Sequence, residues 1–221
     1  MRRLLYILLI SVFLCGCKQK ETLPPAFTEA PEEPAATSSE IQDLSKFQSL
    51  LSYDDTHQNW IPFALGSVFE NPRDIDLEFM FYMGTERLGW FDISAESEQE
   101  LIDAGFMREM DLQLMSVSSL EQALEATFGI SLSDTTIPLS WYYLSSEDAY
   151  CSNNNDAYFV GNVIVTSATE YSDGTTEVHY QVDSYYNTKT GEFYDQTALI
   201  LTLKQHHDRY LIQSNLIESV G

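Results

Sequence analysis

Basic residues are scarce in this sequence. The 221 residues include 11 Lys and Arg against 34 Asp and Glu, which gives a formal net charge of -23 at pH 7 and a pI of about 4.2. A surface this negative repels phosphate groups, so it argues against binding to nucleic acid or to anionic lipid. The excess acid either serves solubility and repulsion from the lipid surface, or attracts cationic partners and divalent ions.

The N-terminal apolar run is short. Leu4 to Leu14 are eleven uncharged residues that follow Arg2 and Arg3, whereas about 20 apolar residues are needed to span a bilayer. A basic start followed by a short apolar run is typical of an export signal. The alternatives are a plain secretory peptide and an uncleaved membrane anchor.

The end of this run, Leu14-Cys15-Gly16-Cys17, resembles the lipobox of bacterial lipoproteins. The resemblance implies that residues 1–16 are removed as a signal peptide and that Cys17 is modified with diacylglycerol. It also implies acylation of the new amino terminus, for example with palmitate. The protein would then be lipid-anchored at the extracytoplasmic face of the cell membrane. Loss of Arg2 and Arg3 would change the formal charge from -23 to -25.

Cysteine is also rare, with three residues in the chain. If Cys15 leaves with the signal and Cys17 carries lipid, Cys151 alone remains and no intramolecular disulfide can form. We expect Cys151 to be buried as a small apolar side chain. A redox or nucleophilic role for Cys151 is the alternative, without a local motif to support it.

Residues 17–40 have the composition of a linker. They contain Pro24, Pro25, Pro31 and Pro34 among Ala, Ser, Thr and Glu, so little can be buried and we expect disorder. Fully extended, the segment would reach on the order of 70 Å. A single α+β domain is predicted over 41–221, with a helical part over 41–130 and a sheet part over 137–221.

Helical spacing predicts four helices, and three of them carry a capping box. The first follows Ser39 and ends near Ser52. The second covers 75–83, a short apolar run that fits a buried strand as well. The third covers 97–107, and the last begins after Ser118 and ends at Gly129, which is suited to a helix C-terminus. Residues 53–74 are expected to be irregular and packed by aromatic side chains.

Alternating apolar residues predict strands in the C-terminal part of the chain. Short strands are expected at 141–144 and 149–151, and longer ones at 158–171, 175–186, 193–204 and 209–218. Turn signals separate the longer strands, which should form an antiparallel meander. The meander must bury its apolar face against the helices, which defines an α+β fold.

Helices followed by a curved antiparallel meander resemble, in their order, the cystatin-like and NTF2-like folds. The segments 128–132, 201–204 and 210–215 also resemble recurrent features of uncharacterised lipoproteins from Gram-positive anaerobes. These resemblances imply the fold and the location, and they bring no known activity.

Catalytic motifs are absent, and we predict no catalytic, cofactor-binding or metal-binding residue. His57 beside Asp54 and Asp55, and the His206-His207-Asp208 group, are better explained as loops than as metal sites. The oxygen-rich stretch 152–156 lacks the acid count of a calcium loop. His179 and Asp183 lie about 13 Å apart on an extended strand.

Aromatic side chains are the remaining candidate for function. Trp141, Tyr142, Tyr143, Tyr185 and Tyr186 form a candidate binding surface for an envelope protein, a peptide or a glycan, although strand propensity explains them equally well. The leading hypothesis is a non-enzymatic binding domain in the cell envelope. An NTF2-like enzyme with a pocket between sheet and helices is the alternative. A two-lobed solute-binding protein is disfavoured because the domain is too short.

Overall fold

The structure is a computed structural model that describes residues 37–53, 59–82, 86–88, 90–107, 111–153, 161–187 and 190–219. The segment Ala36–Gly221 groups as one compact unit. The predicted signal peptide, Cys17 and most of the predicted linker lie outside the described residues, as do His57 and residues 154–156. Within the described part of the chain, no helix combines the length and apolarity needed to cross a membrane.

The described elements alternate between short helices and antiparallel strands, which confirms a mixed α+β fold. The helices are α1 Ser45–Leu51, α2 Ile61–Ala64, α3 Leu77–Tyr82, α4 Ala95–Asp103 and α5 Val117–Phe128. The strands are β1 Ser38–Glu40, β2 Glu86–Leu88, β3 Leu112–Ser116, β4 Tyr142–Leu144, β5 Ala149–Ser152, β6 Val163–Tyr171, β7 Thr175–Asn187, β8 Glu192–His206 and β9 Arg209–Ser219.

Helix α5 forms where its sequence predicts it. Leu120, Leu124 and Phe128 are buried along one side, and Gly129 ends the helix at φ 69°. A Cβ at Gly129 would come within 3.0 Å of Leu211 Cδ1, so this position combines left-handed backbone with close packing. The cap is Ser116, whose Oγ accepts from Ser119 N at 3.2 Å, rather than the predicted Ser118.

The other helices are shorter than predicted. Helix α3 lies within the predicted 75–83. Helix α4 begins at Ala95, since the side chain of Ser94 accepts a hydrogen bond from Ser97 N, and it ends at Asp103 rather than 107. Residues 59–74 include the short helix α2, and Trp60 meets Phe63 and Phe81 edge to face, as expected of an aromatic-packed segment.

The predicted end of the linker and start of the first helix are wrong. Residues Ser38–Glu40 form β1, which pairs antiparallel with β6 from Ser38↔Tyr171 to Glu40↔Thr169, and α1 begins only at Ser45. The local capping signal at Ser39 is overridden because pairing with the edge of a sheet satisfies backbone groups that an isolated turn leaves to water.

The predicted meander is confirmed as the larger sheet, in the order β1-β6-β7-β8-β9. Val178, Tyr180 and Val182 of β7 are buried, as are Leu199 and Leu201 of β8, so the period of two holds. These residues share one apolar core with Phe47 of α1 and with the buried side of α5.

A second sheet, in the order β2-β3-β5-β4, corrects the prediction that 41–130 is helical. Strands β4 and β5 were expected, whereas β2 and β3 were not. Strand β3 pairs with β5, from Gln113↔Ser152 to Ser116↔Ala149, so its partner lies more than thirty residues further along the chain. Pairing of this range leaves no local signature, because five residues with mixed periodicity fit either type of element.

Asn215 of β9 joins the larger sheet to the segment that follows α2. Its side chain is fully buried, its Nδ2 donates to Leu65 O at 3.1 Å and to Ser67 O at 2.8 Å, and its Oδ1 accepts from Tyr180 Oη at 2.8 Å. Its main chain exchanges two 2.9 Å hydrogen bonds with Phe69. One side chain therefore satisfies three buried polar groups.

Replacement of Asn215 by Ala should lower the free energy of unfolding by about 3 kcal/mol, because two carbonyls and one hydroxyl lose their buried partner. Tyr180→Phe removes one of these hydrogen bonds and should cost about 1 kcal/mol. Urea denaturation followed by tryptophan fluorescence measures both changes. Gln213→Ala on the same strand is the control, since the one hydrogen bond of the Gln213 side chain within the described part of the chain is to the neighbouring Ile212 O. Equal stabilities of the Asn215 and Gln213 variants would contradict this role.

Candidate functional site: an aromatic pocket at the end of the smaller sheet

A cavity of about 560 Å³ opens where β4 begins and β5 ends. Because the two strands are antiparallel, with Tyr142↔Cys151 in register, these ends lie side by side. Side chains from α3 and from the segment after α4 complete the walls. The lining residues, called the aromatic pocket below, are Glu78, Phe106, Ser140, Trp141, Tyr142, Tyr143, Cys151, Ser152 and Asn153.

Side chains alternate between the two faces of a sheet along a strand, so neighbouring aromatic residues of the pocket lie on opposite faces. Trp141 belongs to the main core, whereas Tyr142 packs with Cys151 in a smaller cluster on the opposite face. Phe106 meets Tyr142 at a centroid distance of 5.9 Å. The pocket therefore wraps around the end of the sheet.

The indole N–H of Trp141 is a buried donor without a partner. The side chain is 7% exposed, and Nε1 has no hydrogen bond within the described part of the chain. Buried polar groups are nearly always paired, and leaving one unpaired is costly. Trp141 lines the cavity while Nε1 itself is covered, so a ligand that brings an acceptor must displace neighbouring atoms to pair with this donor.

A second unpartnered group lies beside the pocket. Gln113 is 1% exposed, and neither its Oε1 nor its Nε2 has a partner among the described residues. Its register with Ser152 places both side chains on one face of the sheet, and Ser152 lines the pocket. Trp141 directly precedes Tyr142 in the chain, so by strand alternation its side chain lies on this face as well. Unsatisfied polar groups are thus concentrated on this face.

The remaining polar groups of the pocket are fixed by the protein. Glu78 Oε1 accepts from Ser140 N at 3.1 Å and so holds α3 against the start of β4. Tyr143 donates to Asp148 Oδ1 at 2.8 Å, which raises the pKa of Tyr143. Burial, with the charge of Glu100, raises the pKa of Tyr142. Both phenols therefore stay protonated at neutral pH and act as donors.

The structure brings together only part of the predicted aromatic surface. Trp141, Tyr142 and Tyr143 line the aromatic pocket, and Tyr143 is the most exposed of the three. Tyr185 was wrongly included, because it is fully buried and donates to Gly66 O at 3.2 Å. Tyr186 packs on Phe193 at 4.7 Å, in the β7–β8 hairpin, and does not line this pocket.

Sequence reasoning missed Glu78 and Phe106, which reach the pocket from separate elements. It also missed a cavity of about 630 Å³ beside α1 and the β8–β9 turn. There Lys46 Nζ lies 4.7 Å from the Tyr210 ring centroid, and Arg209 pairs with Glu125 at 3.5 Å. The cations of this second cavity are thus already engaged by the protein.

The histidine candidates do not assemble into a site. No group of three or more His, Cys, Asp or Glu suited to a metal occurs among the residues described. The rings of His206 and His207 meet edge to face, with centroids 4.5 Å apart, at the exposed β8–β9 turn. His179 Nδ1 lies 3.3 Å from Glu218 Oε2, a partner that the sequence did not suggest.

Cys151 is fully buried, which confirms the expectation for this residue. Burial raises the pKa of its thiol to about 11. The unfolded chain should ionise this thiol near pH 8.5, well before the folded protein does. The protein therefore loses stability as the pH rises from about 8.5 towards 11.

We expect Cys151 to contribute about 2 kcal/mol to the fall in unfolding free energy between pH 7 and pH 10. Urea denaturation at the two pH values measures the fall. Cys151→Ala has no thiol, so its unfolding free energy should fall by about 2 kcal/mol less between the two pH values. The loss of packing in this variant is the same at both pH values and cancels in the comparison. Equal falls in the two proteins would mean that the thiol ionises as readily in the folded state.

Comparison with protein-family models, with curated proteins and with solved structures finds no match. The site is therefore interpreted from its own geometry: an α+β domain with an aromatic pocket that offers a buried, unpartnered donor.

Proposed function

We propose that the chain is a lipid-anchored extracytoplasmic protein whose α+β domain is a non-enzymatic binding module, with the aromatic pocket as its ligand site. The observation that carries the proposal is the unpartnered indole N–H of Trp141 in an aromatic-walled cavity. Aromatic rings supply contact area, and the donor selects a ligand with a hydrogen-bond acceptor beside an apolar face. A peptide and a glycan both have this chemistry.

The buried polar residues favour binding over catalysis. Those in the described part of the chain are Ser67, Ser97, Gln113, Thr127, Ser152, Thr176, Thr197 and Asn215. An NTF2-like enzyme would use a desolvated carboxylate or imidazole in a pocket between sheet and helices, and this set contains neither. The enzyme is therefore the second candidate.

The cystatin-like or NTF2-like arrangement is part of the same proposal. Its support is the shared core of α1, α5 and the larger sheet, together with one register shift between β6 and β7 and two between β8 and β9, which bend strands. None of the residues that line the aromatic pocket belongs to the larger sheet, α1 or α5, so it is not the pocket between sheet and helices that an NTF2-like enzyme would use.

Trp141→Phe should weaken ligand binding about tenfold, since it keeps a ring and removes the donor. The full chain has three tryptophans, so labelling with fluorotryptophan gives three fluorine NMR signals. The signal lost in Trp141→Phe should shift when the capped peptide acetyl-Ala-Phe-Ala-Ala-amide or chitotriose is added.

Trp60→Phe is the matched control, because Trp60 lines the other cavity and its replacement should leave binding unchanged. A Trp141 signal unaffected by either probe would overturn the proposed site. Chemical conversion of a probe by the purified chain would move the assignment to the enzyme.

The lipid anchor is tested separately. Cells that express Cys17→Ser should incorporate no labelled palmitate into the protein, and the protein should leave the membrane fraction, because stable anchoring needs the acyl chains. Cys15→Ser changes the neighbouring cysteine and should keep both label and membrane association. Retention of the Cys17 variant in membranes would contradict the lipoprotein proposal.

A further inference from the structure

A further cavity, of about 690 Å³, adjoins the aromatic pocket on the side of α4, and Tyr142 belongs to the walls of both. This acidic cavity is lined by Glu96, Gln99, Glu100, Asp103, Ala104, Tyr142 and Ser145. Its carboxylates come from one side of α4, at spacings of four and three residues. Like charges at these spacings repel each other.

Among the described residues, none of these acids forms an ion pair. The ion pairs of the described side chains join Arg73, His179, Lys204 and Arg209 to other carboxylates. Asp103 also ends α4, where the helix dipole is unfavourable for a negative charge. The cavity therefore keeps a local negative charge that destabilises its own helix.

Glu100 keeps one of these charges in place. It accepts from Ser145 N at 2.7 Å, Ser145 Oγ at 3.0 Å and Ser146 N at 3.1 Å. The hydrogen bond from Ser145 N, with the others, lowers the pKa of Glu100 to about 2. Glu96 and Asp103 have no such anchor to the β4–β5 turn. Asp103 Oδ1 accepts from Gln99 Nε2 at 2.8 Å on its own helix, and a carboxylate that accepts one hydrogen bond keeps further acceptor positions for a ligand.

The edge of the sheet suggests the form of the ligand. Strand β4 is the last strand of the smaller sheet, and no described strand pairs with its outer side. An extended peptide can add to such an edge and send alternate side chains into neighbouring pockets. Its carbonyl groups provide the acceptor that Trp141 Nε1 lacks.

We propose that the ligand is an extended, basic segment of a partner protein, in which an apolar residue enters the aromatic pocket and a nearby Lys or Arg enters the acidic cavity. There the cation lies near the Tyr142 ring, between Glu96 and Asp103. This inference rests on the proposed function of the aromatic pocket and adds the chemistry of its ligand. The net charge of -23 favours the same partner.

The test compares three capped peptides on the full chain: acetyl-Ala-Phe-Lys-Ala-amide, its Glu counterpart and its Ala counterpart. We expect the Lys peptide to bind at least about tenfold more tightly than the Glu peptide, with a shift of the Trp141 fluorine signal. The difference in affinity between the Lys and Glu peptides should decrease in high salt, because Glu96 and Asp103 are both exposed and salt screens their charges. Spermidine is included as a cation without a peptide backbone.

The Glu96→Gln/Asp103→Asn double variant should reduce the Lys advantage to about twofold or less. Glu170→Gln/Asp195→Asn is the matched control, since it removes two exposed charges from the larger sheet and should keep the full advantage. Thermal unfolding of both variants verifies that they are folded.

Equal binding of the three peptides through Trp141 would overturn the basic partner and leave the proposed binding site intact. No binding of any probe would remove both. If both double variants lose the preference for the Lys peptide, that preference comes from overall charge and not from the acidic cavity. If spermidine binds as tightly as the Lys peptide, the acidic cavity is a polyamine site. Each of these results contradicts the inference.

Discussion

The hydrogen bonds of Asn215 are the constraint on which the architecture depends. A buried amide is usually paired, and the partners of the Asn215 side chain are Tyr180 on β7 and two carbonyls near α2, while its main chain pairs with Phe69. These contacts join segments about 150 residues apart. They set where the helical half of the chain lies on the larger sheet, and so where α3 meets the start of β4.

The smaller sheet contrasts with the paired Asn215. Gln113 and Trp141 are as buried as core residues, yet three of their polar atoms have no partner among the described residues. The larger sheet has one such atom, Thr197 Oγ1, so most of this cost falls on the face of the smaller sheet that borders a cavity. Local departures from good packing of polar groups are typical of functional sites.

Some elements could be predicted from the sequence and others could not, and the reason is how far apart their determinants lie in the chain. Helix α5 and the alternation of β7 are recognisable because their signals lie within a few residues of each other. Strand β3 and the pairing of Ser38–Glu40 with β6 were missed because the partners are remote. Tyr185 was misplaced because the buried positions of β7 change from even to odd numbers between Val182 and Tyr185. Three of the five predicted aromatic residues line the pocket, since Trp141 to Tyr143 are consecutive.

The sequence by itself determined the acidic balance, the scarcity of cysteine, the last helix and the meander, because each depends on composition or on neighbours in the chain. The tertiary structure decided which side chains share a pocket. Glu78, Phe106 and Trp141 come from three separate elements, and only long-range strand pairing and packing bring them together. The missing partner of the Trp141 indole is likewise a property of its surroundings, which no stretch of sequence encodes alone.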